Sequence, residues 1–195
     1  MEGVPPSAFC HTLEVAVPHA RTPARGSSGS RRVAKAMTTQ STTKLTTPSE
    51  RELVITRDFA APRERVFEAW TKPEQVRQWY GLSSLTTTVC DIDLRVGGAW
   101  RWGQKAPDGQ EIVFSGMYEE ITPPERLVYT ELFELMPGPR IHVTLTFEEK
   151  GDGGTRLRST SVWPSAEIRD QALATGMEAG VAEEYDRLAT FLARV

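Results

Sequence analysis

Beyond Glu50 the chain switches several times between a two-residue and a helical spacing of apolar positions. Residues 52–60 (ELVITRDFA) read as a strand. Pro62 then opens RERVFEAWT, whose Val66, Phe67 and Trp70 share a helical face, and Pro73 opens a second short helix, EQVRQWY, with Val76, Trp79 and Tyr80 apolar; proline suits the first helical position because its missing N–H would have no partner there. Six strand-like runs follow: LTTTVCDIDL, AWRWGQKA, EIVFSGMYEEI, RLVYTELFEL, RIHVTLTFEE and TRLRSTSVW. Glycine and proline punctuate them at Gly97-Gly98, Asp108-Gly109, Pro123-Pro124, Pro137-Gly138 and Gly151 to Gly154, and such short loops favour antiparallel neighbours. The last segment predicts one long helix over about 166–193, with Leu173, Met177, Val181, Tyr185, Leu188 and Leu192 forming a stripe.

This order predicts an α+β domain in which an antiparallel sheet of about seven strands buries one face under the C-terminal helix. One helix, roughly 10–12 Å across, is narrower than such a sheet. The sheet must therefore curl around the helix, and the mouth between them is a natural place for a pocket.

Strand parity nominates the lining. Trp100 and Trp102 share a face, as do Leu127, Tyr129, Glu131 and Phe133. Ile141, Val143, Leu145 and Phe147 oppose His142, Thr144 and Thr146, which puts His142 on the outer face. An inward Glu131 must be hydrogen-bonded or held neutral by a raised pKa. Ser159, Ser161 and Trp163 follow the face of Leu157. Gly97-Gly98 lets the sheet bend, and Gly176 and Gly180 let the last helix approach the sheet or leave room beside the adaptable Met177. The expected ligand pocket comprises Trp79, Trp100, Trp102, Tyr118, Tyr129, Glu131, Phe133, Trp163, Met177 and Val181.

No Ser-His-Asp arrangement, paired-carboxylate pattern or metal-ligand spacing stands out, so neither a catalytic residue nor a cofactor is expected. That favours a binding module over an enzyme. Residues 50–195 hold 17 basic and 24 acidic side chains, a balance of −7 that offers nucleic acid no footprint. No apolar run approaches a membrane span. Two cysteines, Cys10 and Cys90, without CxxC spacing fit a reducing, cytoplasmic setting.

Residues 1–49 differ in kind. Six Lys/Arg stand against two acids, four prolines precede Arg25, and apolar periodicity is scarce. The segment reads as a disordered extension, with Met37 as an alternative start, and the domain is placed at 50–195.

Several motifs then carry a resemblance. They are R-x-F-x-A-P-x-E-x-V-F-x-A-W-T-x-P-E (Arg57 to Glu74), Trp79, D-x-R-x-G-G (Asp93 to Gly98, after Asp91) and Asp108-Gly109. S-G-x-Y-x-E-I-x-P-P-E-R-L-V-Y-T (Ser115 to Thr130) and V-T-x-T-F-E-E-x-G-x-G-G-T-x-L (Val143 to Leu157) complete the set. Together they resemble the SRPBCC (START-like, helix-grip) superfamily, and within it the family named after the C-terminal domain of activators of the heat-shock protein 90 ATPase. The resemblance implies the helix-grip fold, and the aromatic side chains on the inward positions point to a small hydrophobic or aromatic ligand; a monomer or homodimer is expected. A cyclase-like or hydrolase-like enzyme using the same pocket, with Glu131 or Tyr129 in acid–base roles, is the alternative. A chaperone-interacting module ranks third, because the co-chaperones carry an additional N-terminal domain that residues 1–49 are too short to supply. The family's usual Gly-Trp in the last helix is Gly180-Val181 here, which enlarges the implied pocket if Val181 faces inward.

Overall fold

Helix and strand assignments come from a computed structural model, which describes residues 43–136 and 138–194. Eight antiparallel strands form one sheet: β1 (Lys44–Thr46), β2 (Glu52–Phe59), β3 (Thr86–Ile92), β4 (Ala99–Lys105), β5 (Glu111–Thr122), β6 (Arg126–Phe133), β7 (Ile141–Glu149) and β8 (Thr155–Val162). Their order is β1-β2-β8-β7-β6-β5-β4-β3, so β2 crosses to the far end of a meander that runs from β3 to β8. Register shifts at Thr87/Val89 and Tyr118/Glu120 mark irregularities of the kind that bend a strand and add twist. Gly97 and Gly98 close the β3–β4 turn and fasten it to β5: Gly97 donates to the Tyr118 carbonyl (2.8 Å), and Tyr118 donates to Gly98 (3.0 Å).

Helices α1 (Arg63–Thr71) and α2 (Pro73–Trp79) start where the prolines predict them. Their apolar faces are buried through Val66, Phe67, Trp70, Val76 and Trp79. The core follows the expected strand parity: Leu127 and Tyr129 on β6, Val143, Leu145 and Phe147 on β7, and Leu157 on β8 are all inside.

Two details refine the expected architecture. Where about seven strands were expected the described residues form eight, because Lys44–Thr46 pairs with Val54 to Thr56 of β2. The ordered fold thus reaches into the stretch read as a disordered extension. That reading of the remainder, and the Met37 start, lie outside the described residues.

The C-terminal segment is also not one helix. It is split into α3 (Ala166–Ala174) and α4 (Met177–Leu192) at Gly176, whose φ of 86° is left-handed. Thr175 and Gly176 tighten the end of α3 by donating to Ala172 and Leu173 (3.2 Å each). Glycine tolerates the left-handed position that stops a helix there.

Helix α4 meets the sheet through specific side chains. Tyr185 stands edge-on to Phe59 at 6.1 Å, and Arg57, buried on β2, pairs with Asp186 at 2.7 Å.

Candidate ligand site between the sheet and the last helix

Alternation on β4 turns Trp100, Trp102 and Gln104 to the same buried side. The two indoles lie 5.1 Å apart, and a continuous aromatic wall extends from them. Trp102 contacts Tyr80 at 5.0 Å and Trp70 at 5.9 Å, and Trp70 contacts Trp79 at 4.9 Å. Trp100 is edge-on to Tyr129 at 5.3 Å, and Tyr129 reaches Tyr118 at 6.3 Å.

Hydrogen bonding divides these indoles into two groups. Trp79 donates to the Ala69 carbonyl and Trp163 to Ser161 Oγ, each at 2.9 Å. Among the described residues the buried N–H groups of Trp70, Trp100 and Trp102 find no acceptor. Leaving such a donor unpaired costs about 1–3 kcal/mol. Trp100 and Trp102 are only 3% and 7% exposed, so bulk water is a poor substitute.

Two carboxyl groups complete the site. Glu131 follows Tyr129 in parity on β6 and is half-buried; no donor among the described residues compensates its charge. Burial, and secondarily the charge of Glu184, pushes its pKa up to about 7. Glu184 lies three residues beyond Val181, on the α4 face that also carries Tyr185 and Leu188. Burial pushes its pKa to about 7 as well, against the opposing pull of the Gly81 N–H (3.1 Å) and Arg187.

The phenols of Tyr80, Tyr129 and Tyr185 are all held above the usual tyrosine range, mainly by burial and then by the charges of these two glutamates and, at Tyr129, of Tyr185 and Tyr118. Chemically, each of the two carboxyl groups can hold or release a proton near neutral pH.

The loop after α2 is pinned over this region from two sides. Gln104 of β4 accepts from Leu82 N–H (3.1 Å) and donates to Tyr80 O (3.3 Å). From α4, Glu184 accepts from Gly81, Arg187 donates to the Gly81 carbonyl (2.9 Å), and Glu183 accepts from Ser83 N–H and Oγ–H (2.7 and 2.6 Å).

Of the ten residues nominated from sequence, Trp79, Trp100, Trp102, Tyr118 and Tyr129 lie in one buried cluster. Met177 and Val181 pack against that cluster and are half-buried, so Val181 does turn toward the interior. Glu131 is half-buried as well, and so is Phe133, which stacks on Phe114 at 5.0 Å. Trp163 is buried outside the central cluster, with its indole bonded to Ser161. His142 is on the outer face, its side chain 57% exposed and 3.2 Å from Glu119 Oε2.

Sequence reasoning missed Trp70, Tyr80, Gln104, Tyr185 and above all Glu184 as members of the site. Glu184, 53 residues beyond Glu131 in the chain, acts on it electrostatically.

Two open surface clefts lie apart from the ten nominated residues. One, of about 380 Å³, is lined by Ser84, Thr86, Thr88, Lys105, Ala106 and Pro107. The other, of about 190 Å³, is lined by Gln78, Arg187, Thr190, Phe191 and Arg194. Among the described residues no group of His, Cys, Asp and Glu is placed to hold a metal ion, and no helix is long and apolar enough to cross a membrane.

Comparison with known proteins places this architecture. The model of the family described as Activator of Hsp90 ATPase homolog 1-like protein matches residues 60–193. A search of curated proteins found no match. Among solved structures, a Rhodobacter sphaeroides protein is 27% identical with a TM-score of 0.72, over 78% of this chain and 99% of that one. A Staphylococcus epidermidis protein is 28% identical with a TM-score of 0.67, over 76% and 93%. The AHSA1 protein of Silicibacter pomeroyi, at 24% identity and a TM-score of 0.61 over 73% and 97%, is alike in fold. With its helix-grip architecture and the match across both the sheet and the last helix, the chain belongs to the Activator of Hsp90 ATPase homolog 1-like family of the SRPBCC superfamily.

Proposed function

We propose that this protein binds a small apolar or aromatic molecule between the curved sheet and α4. The observation that carries the reading is the pair of buried, unpartnered indole N–H groups on Trp100 and Trp102, together with the donorless carboxyl of Glu131, two residues along β6 from the Tyr129 that Trp100 meets at 5.3 Å. A core evolved only for stability has no use for three such groups in one place. Their rings supply the apolar contact area and their N–H groups supply direction, the usual division of labour in a small-molecule site. Half-buried Tyr80, Phe114, Met177 and Val181 surround this core where it gives way to solvent, and they form the rim in this reading. The thiol of Cys90, buried and unpaired, accords with a reducing cytoplasmic setting.

The test is a tryptophan fluorescence titration of the full chain, with the Trp102→Phe variant isolating the contribution of that indole from the other four tryptophans. Neutral indole, naphthalene and quinone derivatives and medium-chain lipids are the panel. Saturable quenching with micromolar midpoints, weakened at least fivefold in Trp102→Phe, is expected. Absence of saturable binding across the panel counts against the reading.

A second reading is acid–base catalysis on the bound molecule, favoured by the placement of Glu131 and Glu184 with pKa values near 7, where a general acid or base works best. For any substrate found, Glu131→Gln and Glu184→Gln would then lower kcat at least a hundredfold; unchanged turnover in both would leave binding as the whole function.

A further inference from the structure

We propose that the cleft between the last turn of α2 and the end of α4 binds the phosphate group of a small phosphate monoester, held by Arg187 and Arg194. None of the aromatic side chains of the candidate ligand site lines this cleft, and the assignment stands independently of the binding reading above.

The cleft follows from how two helices meet. Helices α2 and α4 are in contact, and beside that contact an open space of about 190 Å³ remains. Phe191, buried, gives it an apolar floor. Arg187, Thr190, Phe191 and Arg194 follow one another by steps of three, one and three, which puts them on one face of α4 and its C-terminal end. Gln78 stands on the other side, on α2.

Charge singles the cleft out. Residues 50–195 carry a balance of −7, yet two arginines and no acid line this space. The acids of the neighbouring turns of α4 are engaged elsewhere. Asp186 pairs with Arg57 at 2.7 Å, Glu183 accepts from Ser83 N–H and Oγ–H, and Glu184 accepts from Gly81 N–H. Arg187 offsets part of the charge of Glu183 and Glu184. Arg194 has no hydrogen-bond or ion-pair partner among the described residues. A cation at the end of a helix gains from the dipole there, which accounts for one arginine. It gives no reason for a second on the same face, opposite an amide.

The donor set fits one chemistry. Arg187 Nη1 donates to the Gly81 carbonyl at 2.9 Å, which fixes that guanidinium and leaves its other N–H groups without partners among the described residues. A guanidinium edge offers two parallel N–H groups that match two oxygens of a phosphate. The neutral side chains are already spent as donors: Thr190 gives its hydroxyl proton to the Asp186 carbonyl (2.9 Å), and Gln78 gives an amide proton to the Glu74 carbonyl (3.2 Å). Their oxygens keep lone pairs for hydroxyl groups on the organic part of the ligand. A dianion answers two guanidiniums better than a carboxylate or a phosphodiester, each of which carries a single charge. A phosphate monoester of a small hydroxylated compound meets every group in the cleft.

The experiment follows backbone amide and arginine Nε–H signals of the isotope-labelled full chain by NMR during titration with glycerol phosphate, and with acetate as the singly charged probe. Saturable shifts concentrated at Gln78, Arg187, Thr190 and Arg194 are expected, with glycerol phosphate binding at least tenfold more tightly than acetate. Arg194→Gln, at an exposed position, should weaken binding at least tenfold, whereas Arg140→Gln, an exposed arginine between β6 and β7, should change it less than twofold. Phosphatidylcholine vesicles containing phosphatidic acid separate the two sources of the group. Vesicle binding that is lost in Arg194→Gln assigns it to a lipid headgroup, and indifference to the vesicles assigns it to a free metabolite; both uphold the phosphate site. Shifts spread evenly over the exposed arginines, acetate binding as tightly as glycerol phosphate, or unaltered binding in Arg194→Gln overturns the inference. The location of the shifts and the acetate comparison, both on the unaltered chain, keep the test decisive if the variant misfolds.

Discussion

Around Phe147 the interior is filled by apolar side chains closed to solvent, whereas toward Glu131 it holds polar groups without full partners. At the first location Val66, Leu145, Phe147, Leu157 and Leu188 are essentially excluded from solvent. Phe67 meets Phe147 edge-to-face at 5.4 Å, and nearby Thr155 gives its hydroxyl to the Ala61 carbonyl at 2.6 Å. At the second, the Glu131 carboxyl and two buried indole N–H groups lack the partners that buried polar groups normally have. One interior thus follows two rules: one end is apolar and closed, and the other keeps polar groups without full partners.

The sharpest way to break this contrast is to hollow out each end in turn. Phe147→Ala is expected to destabilise the protein by about 3–5 kcal/mol in urea unfolding, the usual cost of a large aromatic lost from a packed core. Phe133→Ala, at a half-buried position stacked on Phe114, should cost less than about 2 kcal/mol. Equal losses would mean that the two ends are packed alike.

The next effect is electrostatic. A carboxyl whose folded pKa is raised to about 7 binds its proton more tightly in the folded than in the unfolded state, so its stabilising share is full below about pH 4.5 and is lost as the pH rises through 7. The contribution of this pair to stability should therefore fall between pH 5 and 8. Glu131→Gln and Glu184→Gln remove that penalty. Each is expected to stabilise the empty protein at pH 8 by about 1–2 kcal/mol, a figure reduced for the solvent that still reaches these side chains, and by much less at pH 5. Unfolding curves at the two pH values decide; a loss of stability at pH 8 in both variants would show that the carboxylates are paired and stabilising.

The smallest effect separates two glycines four residues apart. Gly176→Ala forces an L-residue into the left-handed break between α3 and α4 and should cost about 1 kcal/mol. Gly180→Ala puts a methyl at ordinary contact distance, 3.7 Å from Leu82, within a regular helix, and should gain up to about 1 kcal/mol. Opposite signs in thermal unfolding support a fixed break; the same sign would indicate that α3 and α4 behave as one helix.

Most of the fold was legible because its signals are local and repetitive. Alternation placed Tyr129 and Val143 inside and His142 outside, and Pro62 and Pro73 marked both helix starts. The break at Gly176 was hidden because Leu173 and Met177 keep a four-residue step across it, so the stripe continues while the backbone does not. Strand β1 escaped because three residues, Lys-Leu-Thr, are too few to show a period, and their pairing with β2 is a tertiary event. The family was readable from motifs spread between Arg57 and Leu157, and the match over residues 60–193 bears it out. The site was legible only in its aromatic half. An inward Glu131 follows from parity, but Glu184 sits among Glu183, Asp186 and Arg187 on a helix whose charges read as a solvated face. Its three-residue step from Val181 was the available clue.

The central claim is that burial lets Glu131 and Glu184 keep their protons to near-neutral pH. Carboxyl carbon chemical shifts of selectively labelled glutamate, followed by NMR from pH 4 to 9 and assigned with the two glutamine variants, test it directly. Two carboxyls are expected to titrate with midpoints near 7, and removing Glu184 should lower the midpoint of Glu131. Both titrating below pH 5, each indifferent to loss of its partner, would contradict the account.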